Sequence, residues 1–416
     1  MKIKDAICSP GLTGFYFDDQ KAIKAGALMD GFMYQGEVLT DKFISIRQPG
    51  ESLSIMLILE DDSIAYGDAA AVQYSGAGGR DSLFLATEGA DIFNTHLRSL
   101  LIGKDVSRFK ENAEYFDNLI IENKRLHTAL RYGITGALLN ATANAHRVTT
   151  VEIVRKEYNL KNKHYNAIPI FAQTGDERYT NVDKMIIKEI DVLPHALINN
   201  IETKLGHDGE ILKEYVKWLR NRIISKRLND DYHPIFHIDV YGTIGIIFDH
   251  NYDKIFTYLK ELSNIAAPFL LRIEGPMDEG NREDTMKALK TLREMIDADP
   301  DVHVEIVADE WCNTLEDVKY FTDNKAGHMV QVKTPDLGGV NNTIEALRYC
   351  LKHDMGAYSG GSCNETNISA EITTSIGMAC EAKQVLAKPG MGADEGMMIV
   401  NNHMQRTLAL IHRRQL

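Results

Sequence analysis

Cysteine is scarce and scattered. The 416-residue chain holds five, Cys8, Cys312, Cys350, Cys363 and Cys380, an odd number with no CxxC pair. That pattern argues against a disulfide framework and a cysteine-ligated zinc site, and predicts reduced thiols in a cytoplasmic protein. Long apolar runs are missing too: no stretch of about 18 apolar residues could span a membrane. The opening MKIKDA lacks the apolar core of a signal peptide. Basic residues are outnumbered, 46 Lys and Arg against 59 Asp and Glu, for a net charge of −13. With no basic stripe, the balance argues against a nucleic-acid surface. No low-complexity segment occurs. Hydrophobic content of 44% and charged content of 25% are those of an ordinary globular enzyme.

What the chain does have is a beat. Four short apolar runs, FHID (236–239), LLRIE (270–274), VEIVAD (304–309) and MVQVK (329–333), each end on one polar residue. Asp239, Glu274 and Asp309 are evenly spaced at 35 positions (274 − 239 and 309 − 274), with a helix-like segment in each interval. Such alternation predicts parallel strands joined by crossover helices. Side chains two apart on a strand share a face, so His237 pairs with Asp239, Arg272 with Glu274 and Gln331 with Lys333, while Ile238, Ile273, Val330 and Val332 face the other way. In a (β/α)8 barrel the polar set points inward and its last members converge on the C-terminal mouth.

The length suits two domains: an N-terminal α+β capping domain over 1–165 and a modified (β/α)8 TIM barrel over 166–416 with a C-terminal tail that packs back. Within the cap, 1–14, 54–60 and 64–66 read as strands and 83–101, 106–126 and 128–158 as helices. The glycine-rich stretch 67–79 matches a phosphate cradle poorly, since no GK[ST] follows, and reads as a mobile loop closing over a neighbouring site. In the barrel half, 168–173, 191–195, 356–363 and 384–390 supply the remaining strands. Helices are expected over 179–190, 209–227, 315–321, 341–353 and 368–382. Asn281 begins a further helix with capping-box spacing to Asp284, followed by Met286, Leu289, Leu292 and Met295 on one face.

Three strand-end carboxylates offer hard oxygen ligands, which suit Mg²⁺ or Mn²⁺ better than Zn²⁺. Lys333 on the next strand is the candidate base, provided that burial or a neighbouring cation lowers its pKa; otherwise it is an ion-pair partner of the acids. A metal on a substrate carboxylate stabilises the charge formed when the adjacent C–H is deprotonated. The predicted chemistry is proton abstraction α to a carboxylate. His195, at the end of the second strand, faces the mouth from the opposite side as a second acid/base or a structural histidine. Gln173 and Gln331 are strand-end amides for substrate or for core hydrogen bonding. Ser362 and Cys363 follow a Gly-Gly pair whose N–H groups can receive a carboxylate; Cys363 has no nearby histidine to make it a nucleophile.

An α+β cap before a barrel with Asp, Glu and Asp on strands three to five and Lys on strand six resembles the enolase superfamily. The motifs LPHALINN (193–200), HIDVYG (237–242), RIEGP (272–276), ADEWC (308–312), QVKTPDLGG (331–339), GGSCNET (360–366) and AKPGMG (387–392) are similar to the methylaspartate ammonia-lyase family along essentially the whole chain. The resemblance implies a homodimeric, cytoplasmic lyase of glutamate fermentation. It requires Mg²⁺, with a monovalent cation such as K⁺ as activator, and converts (2S,3S)-3-methylaspartate reversibly into mesaconate and ammonia. By the same resemblance, Asp239, Glu274 and Asp309 bind Mg²⁺. Lys333 takes the C3 proton, His195 serves the opposite face and the 3R epimer, and Gln173, Gln331, Ser362 and Cys363 hold the substrate. One departure stands out: the family pattern implies threonine where this chain has Ser362. An alternative is a racemase, dehydratase or cycloisomerase on the same scaffold, disfavoured because the second strand, VLPH, lacks their Lys-x-Lys pair. A catalytically dead anion-binding barrel is disfavoured by the intact acids and Lys333.

Overall fold

The computed structural model describes residues 1–77, 79–161, 164–391 and 393–415. The cap is built on an antiparallel sheet of Ile3–Asp18, Arg47–Leu59 and Ile64–Ala69, with the long Arg47–Leu59 strand central. Alternation along that strand buries Leu53, Ile55, Leu57 and Leu59 completely, the period-two signature of a sheet with one covered face. The cover is the helix Thr128–His146. Strand and helix meet through glycines: a Cβ on Gly67 would lie 2.2 Å from Gly133 O, and one on Gly133 would lie 2.5 Å from Ala69 N. Both neighbours are backbone atoms that cannot swing aside. Gly133→Ala is therefore expected to lower stability by about 1–3 kcal/mol, read by urea denaturation.

Two cap helices are shorter than the sequence predicts. Over 106–126 only Phe109–Asp117 is helical; Ile120–Ile121 and Lys124–Arg125 form a hairpin instead. Glu122 and Asn123 both take positive φ (50° and 63°), the two-residue turn that matches strand twist. The 128–158 segment breaks at Arg147 (φ 55°). A new helix, Thr150–Glu157, starts there on a Thr149–Glu152 capping box.

The second half is a closed barrel of eight parallel strands: Ile170–Phe171, Val192–His195, Ile235–Asp239, Leu271–Glu274, Val304–Ala308, Met329–Val332, Gly356–Ser359 and Val385–Leu386. The first and last are shorter than expected, two residues each. Asn281 caps the helix Arg282–Ala298 by accepting from Asp284 N at 3.0 Å, and Met286, Leu289 and Leu292 are buried. The tail does pack back, as helix Glu395–Gln415 with Val400, Met404 and Ile411 buried. Lys184 and Lys188 both pair with Asp394 just before it, at 2.8 Å each. Inside the barrel, Phe171, Val192, Val307, Met329, Tyr358 and Leu386 form an apolar layer. Register places Asp239 opposite Glu274 and Glu274 opposite Val307. Asp309, two residues beyond Val307, thus projects inward at the same mouth. Among the described residues no helix is long and apolar enough to cross a membrane, and all five cysteines are free.

Candidate active site

Strand parity delivers the acids to one point. Among the described residues Asp239, Glu274 and Asp309 each offer a carboxylate oxygen, and these oxygens lie within 4.8 Å of one another, all buried. Their fields reinforce each other: burial, then the charges of Asp239 and Asp309, push the Glu274 carboxyl well above its usual range. Lys333 is the cation beside them, donating to Asp309 Oδ2 at 3.1 Å. Its Nζ also lies 2.9 Å from Asp309 Oδ1, but without hydrogen-bond alignment, so among the described residues that buried oxygen has no hydrogen bond of its own. Three acids crowd against one lysine, and burial together with their mutual repulsion is what raises Glu274. An all-oxygen donor set with an orphaned carboxylate oxygen fits a hard divalent cation.

The Lys333 amine differs in direction from the sequence expectation. Burial does pull its pKa down, but the charges of Asp309 and Glu310 outweigh it, so the amine sits above its ordinary value. A cation held by Asp239, Glu274 and Asp309 would oppose those charges and favour the neutral amine that a base needs.

Glu274 is held by three donors. Its Oε2 accepts from Tyr358 OH at 2.8 Å and His237 Nε2 at 2.7 Å, and its Oε1 accepts from the Gln331 amide. Behind them a chain of bonds fixes every proton. Arg272 only donates, to Glu305 Oε2 at 2.7 Å and to Gln384 Oε1 at 2.7 Å. The Gln384 amide nitrogen therefore turns to His237 Nδ1, at 2.9 Å. Burial, helped by the Arg272 charge, keeps His237 well below its usual pKa. The neutral ring then carries its proton on Nε2, aimed at Glu274. Such partners orient metal ligands. Tyr358→Phe is expected to weaken Mg²⁺ binding roughly tenfold with the fold intact, read as the Mg²⁺ concentration for half-maximal stabilisation in thermal melts.

His195 reaches the opposite wall through an unusual backbone. His195, Ala196 and Leu197 all take positive φ (66°, 68° and 49°), a left-handed run that non-glycine residues adopt only when the surroundings impose it. It sets His195 Nε2 at 3.4 Å from Asp239 Oδ2, and buried Nδ1 has no hydrogen-bond partner among the described residues.

Gln331 donates from its amide nitrogen to Glu274. Gln173 is buried two residues past the first strand, and among the described residues no hydrogen bond joins it to the acids. Ser362 and Cys363 meet the cap: Gln73 N donates to Ser362 Oγ at 3.4 Å, and Cys363 Sγ donates to Gln73 Oε1 at 3.3 Å. Burial pushes the Cys363 thiol up to about 12, so it is no nucleophile at neutral pH. Sequence reasoning missed Gln73, Arg80, Tyr358 and Gln384. Gln73 sits in the glycine-rich stretch read as a closing loop, and Arg80 pins the end of that loop to the barrel through Asp336 (2.8 Å) and Asn313 (3.0 Å).

The methylaspartate ammonia-lyase N-terminus family matches residues 1–159, and the methylaspartate ammonia-lyase C-terminus family matches residues 162–413. Methylaspartate ammonia-lyase of Clostridium tetanomorphum is 61% identical over 100% of both chains. The crystal structure of its Mg complex superposes with a TM-score of 0.97, again covering 100% of both chains. The Citrobacter amalonaticus enzyme containing (2S,3S)-3-methylaspartic acid is 52% identical, with a TM-score of 0.97 over 99% of this chain and 100% of that one. Muconate lactonizing enzyme from Pseudomonas fluorescens, at 15% identity and a TM-score of 0.58 over 91% of this chain and 84% of that one, shares the fold. Matched over both halves of its length, the chain belongs to the methylaspartate ammonia-lyase family.

Proposed function

We propose that this chain catalyses the reversible elimination of ammonia from (2S,3S)-3-methylaspartate to give mesaconate. The observation that carries the reading is Lys333, seated against Asp309 in a mouth shared with two further buried carboxylates. Asp239, Glu274 and Asp309 would hold Mg²⁺, whose chemistry there is to take up negative charge as it builds on the substrate carboxylate beside C3. Neutral Lys333 removes the C3 hydrogen as a proton. The C–H electron pair becomes the C2–C3 double bond, and the C2–N bond breaks with its pair leaving on ammonia. His195, from the opposite wall, removes the C3 proton of the 3R epimer. Gln173, Gln331, Ser362 and Cys363 hold the substrate's carboxylates and amine, Gln331 being oriented by its bond to Glu274.

The resemblance further suggests K⁺ as activator, a cytoplasmic location, and a cap over 1–165 with a barrel over 166–416. Exposed Leu28, Met29, Phe32 and Met33 on the cap hairpin Leu28–Asp30/Met33–Gln35 supply an apolar face for a second copy of the chain, and sedimentation is expected to give a homodimer. The functional test is ultraviolet detection of mesaconate together with ammonia release from 3-methylaspartate, with Mg²⁺ and K⁺ present. Absence of both products defeats the proposal; solvent exchange at C3 without ammonia release would favour the racemase alternative.

A further inference from the structure

Lys388 and Glu365 form an ion pair with neither side chain exposed at all, Nζ 2.7 Å from Oε1. Nothing in the chemistry above uses it. A fully buried pair is weak evidence for stability, because desolvation offsets the attraction, so its position asks for another explanation.

The pair sits where three barrel loops and the cap converge. Lys388 Nζ, just past strand eight, also donates to Gly360 O at 2.7 Å and Thr334 Oγ1 at 3.0 Å. Thr334, the residue after Lys333, passes its own proton to Glu365 Oε1 at 3.1 Å. Glu365 Oε1 is also approached by Ser362 N at 3.4 Å, and Oε2 accepts from Tyr132 OH of the cap helix at 2.8 Å. Packing leaves no slack: a Cβ on Gly361 would lie 2.4 Å from both Glu365 Oε1 and Lys388 Nζ. His195 belongs to strand two, half the barrel away from strand six in the closed order, and takes no part.

We infer that Lys388, Glu365 and Thr334 are positioning residues that lock the backbone after strand six, and with it Lys333, against the Ser362–Cys363 loop and the cap. This rests on the proposed assignment of Lys333 and His195 to opposite faces. Its signature is a selective loss: disturbing the network misplaces Lys333 and spares His195.

Thr334→Val removes the bridging hydroxyl and keeps both charges. The kcat on the (2S,3S) substrate is expected to fall about 10- to 100-fold, with KM and the Mg²⁺ requirement nearly unchanged. The rate on the (2S,3R) epimer is expected to hold, so the epimer ratio shifts, and Thr334→Ser, which retains the hydroxyl, restores it. Should Thr334→Val not fold, Tyr132→Phe removes another hydroxyl of the network and is read in the same way. An unchanged ratio, parallel loss on both epimers, or a loss traced wholly to weaker substrate or Mg²⁺ binding overturns the inference. Lys333→Ala is the separate control: if that variant keeps its (2S,3S) rate, the functional reading itself has failed.

Discussion

Replacing Lys333 by alanine is expected to lower the (2S,3S)-3-methylaspartate rate roughly 10²- to 10⁴-fold, the range for loss of a positioned acid–base group. The size follows from the absence of a substitute among the described residues. Lys333 Nζ lies 2.9 Å from Asp309, and a fully buried lysine near the mouth, Lys388, is tied up by Glu365, Thr334 and Gly360 O. Because kcat should fall with little change in Mg²⁺ affinity, the effect separates from damage to the metal site. The (2S,3R) rate, assigned to His195, should survive. A Lys333→Ala enzyme with undiminished (2S,3S) turnover would remove the base from the mechanism.

Asp239→Asn is expected to abolish the response to Mg²⁺ and, with it, measurable turnover. A ligand bound only by the native state adds about 2.7 kcal/mol of stability at one hundred times its dissociation constant, so the wild-type chain should melt higher as Mg²⁺ is added. The variant loses one of the three proposed anionic ligands, a larger change than loss of an outer partner, so affinity should fall by more than about 100-fold. Its fold should be spared. The amide oxygen can still accept from Tyr241 N, now 3.1 Å from Asp239 Oδ1, and removing one charge relieves the crowding that raises Glu274. Without metal the variant should therefore be at least as stable as wild type. Equal Mg²⁺-dependent shifts in the two proteins, read by calorimetry, would place the ion elsewhere.

The barrel and its acids were legible because they rest on a local rule. Side-chain alternation along a strand is set by the backbone, so Asp239, Glu274 and Lys333 could be aimed inward from sequence parity alone. Asp309 and Lys333 followed although each lies one residue past its strand, since parity continues for a residue. What the sequence hid was assembled from distant segments. Gln73 meets Cys363 across 290 positions, and Arg80 reaches Asp336 across 256; no local period encodes either. Lys333 showed its identity but not its charge balance, because burial and the Asp309 and Glu310 fields pull in opposite directions and only their positions decide the sign. Helix ends failed for a further reason. Glu122–Asn123 and Arg147 adopt positive φ without glycine, so the usual marker of a left-handed residue was missing.

The most direct test runs the reaction backwards in deuterium oxide, adding ammonia to mesaconate with Mg²⁺ present. The wild-type chain should yield (2S,3S)-3-methylaspartate carrying one deuterium at C3, delivered by Lys333, and none when Mg²⁺ is chelated. The Lys333→Ala enzyme should make little of that epimer. Equal yields of deuterated (2S,3S) product from wild type and variant, or a yield indifferent to chelation, would contradict the account.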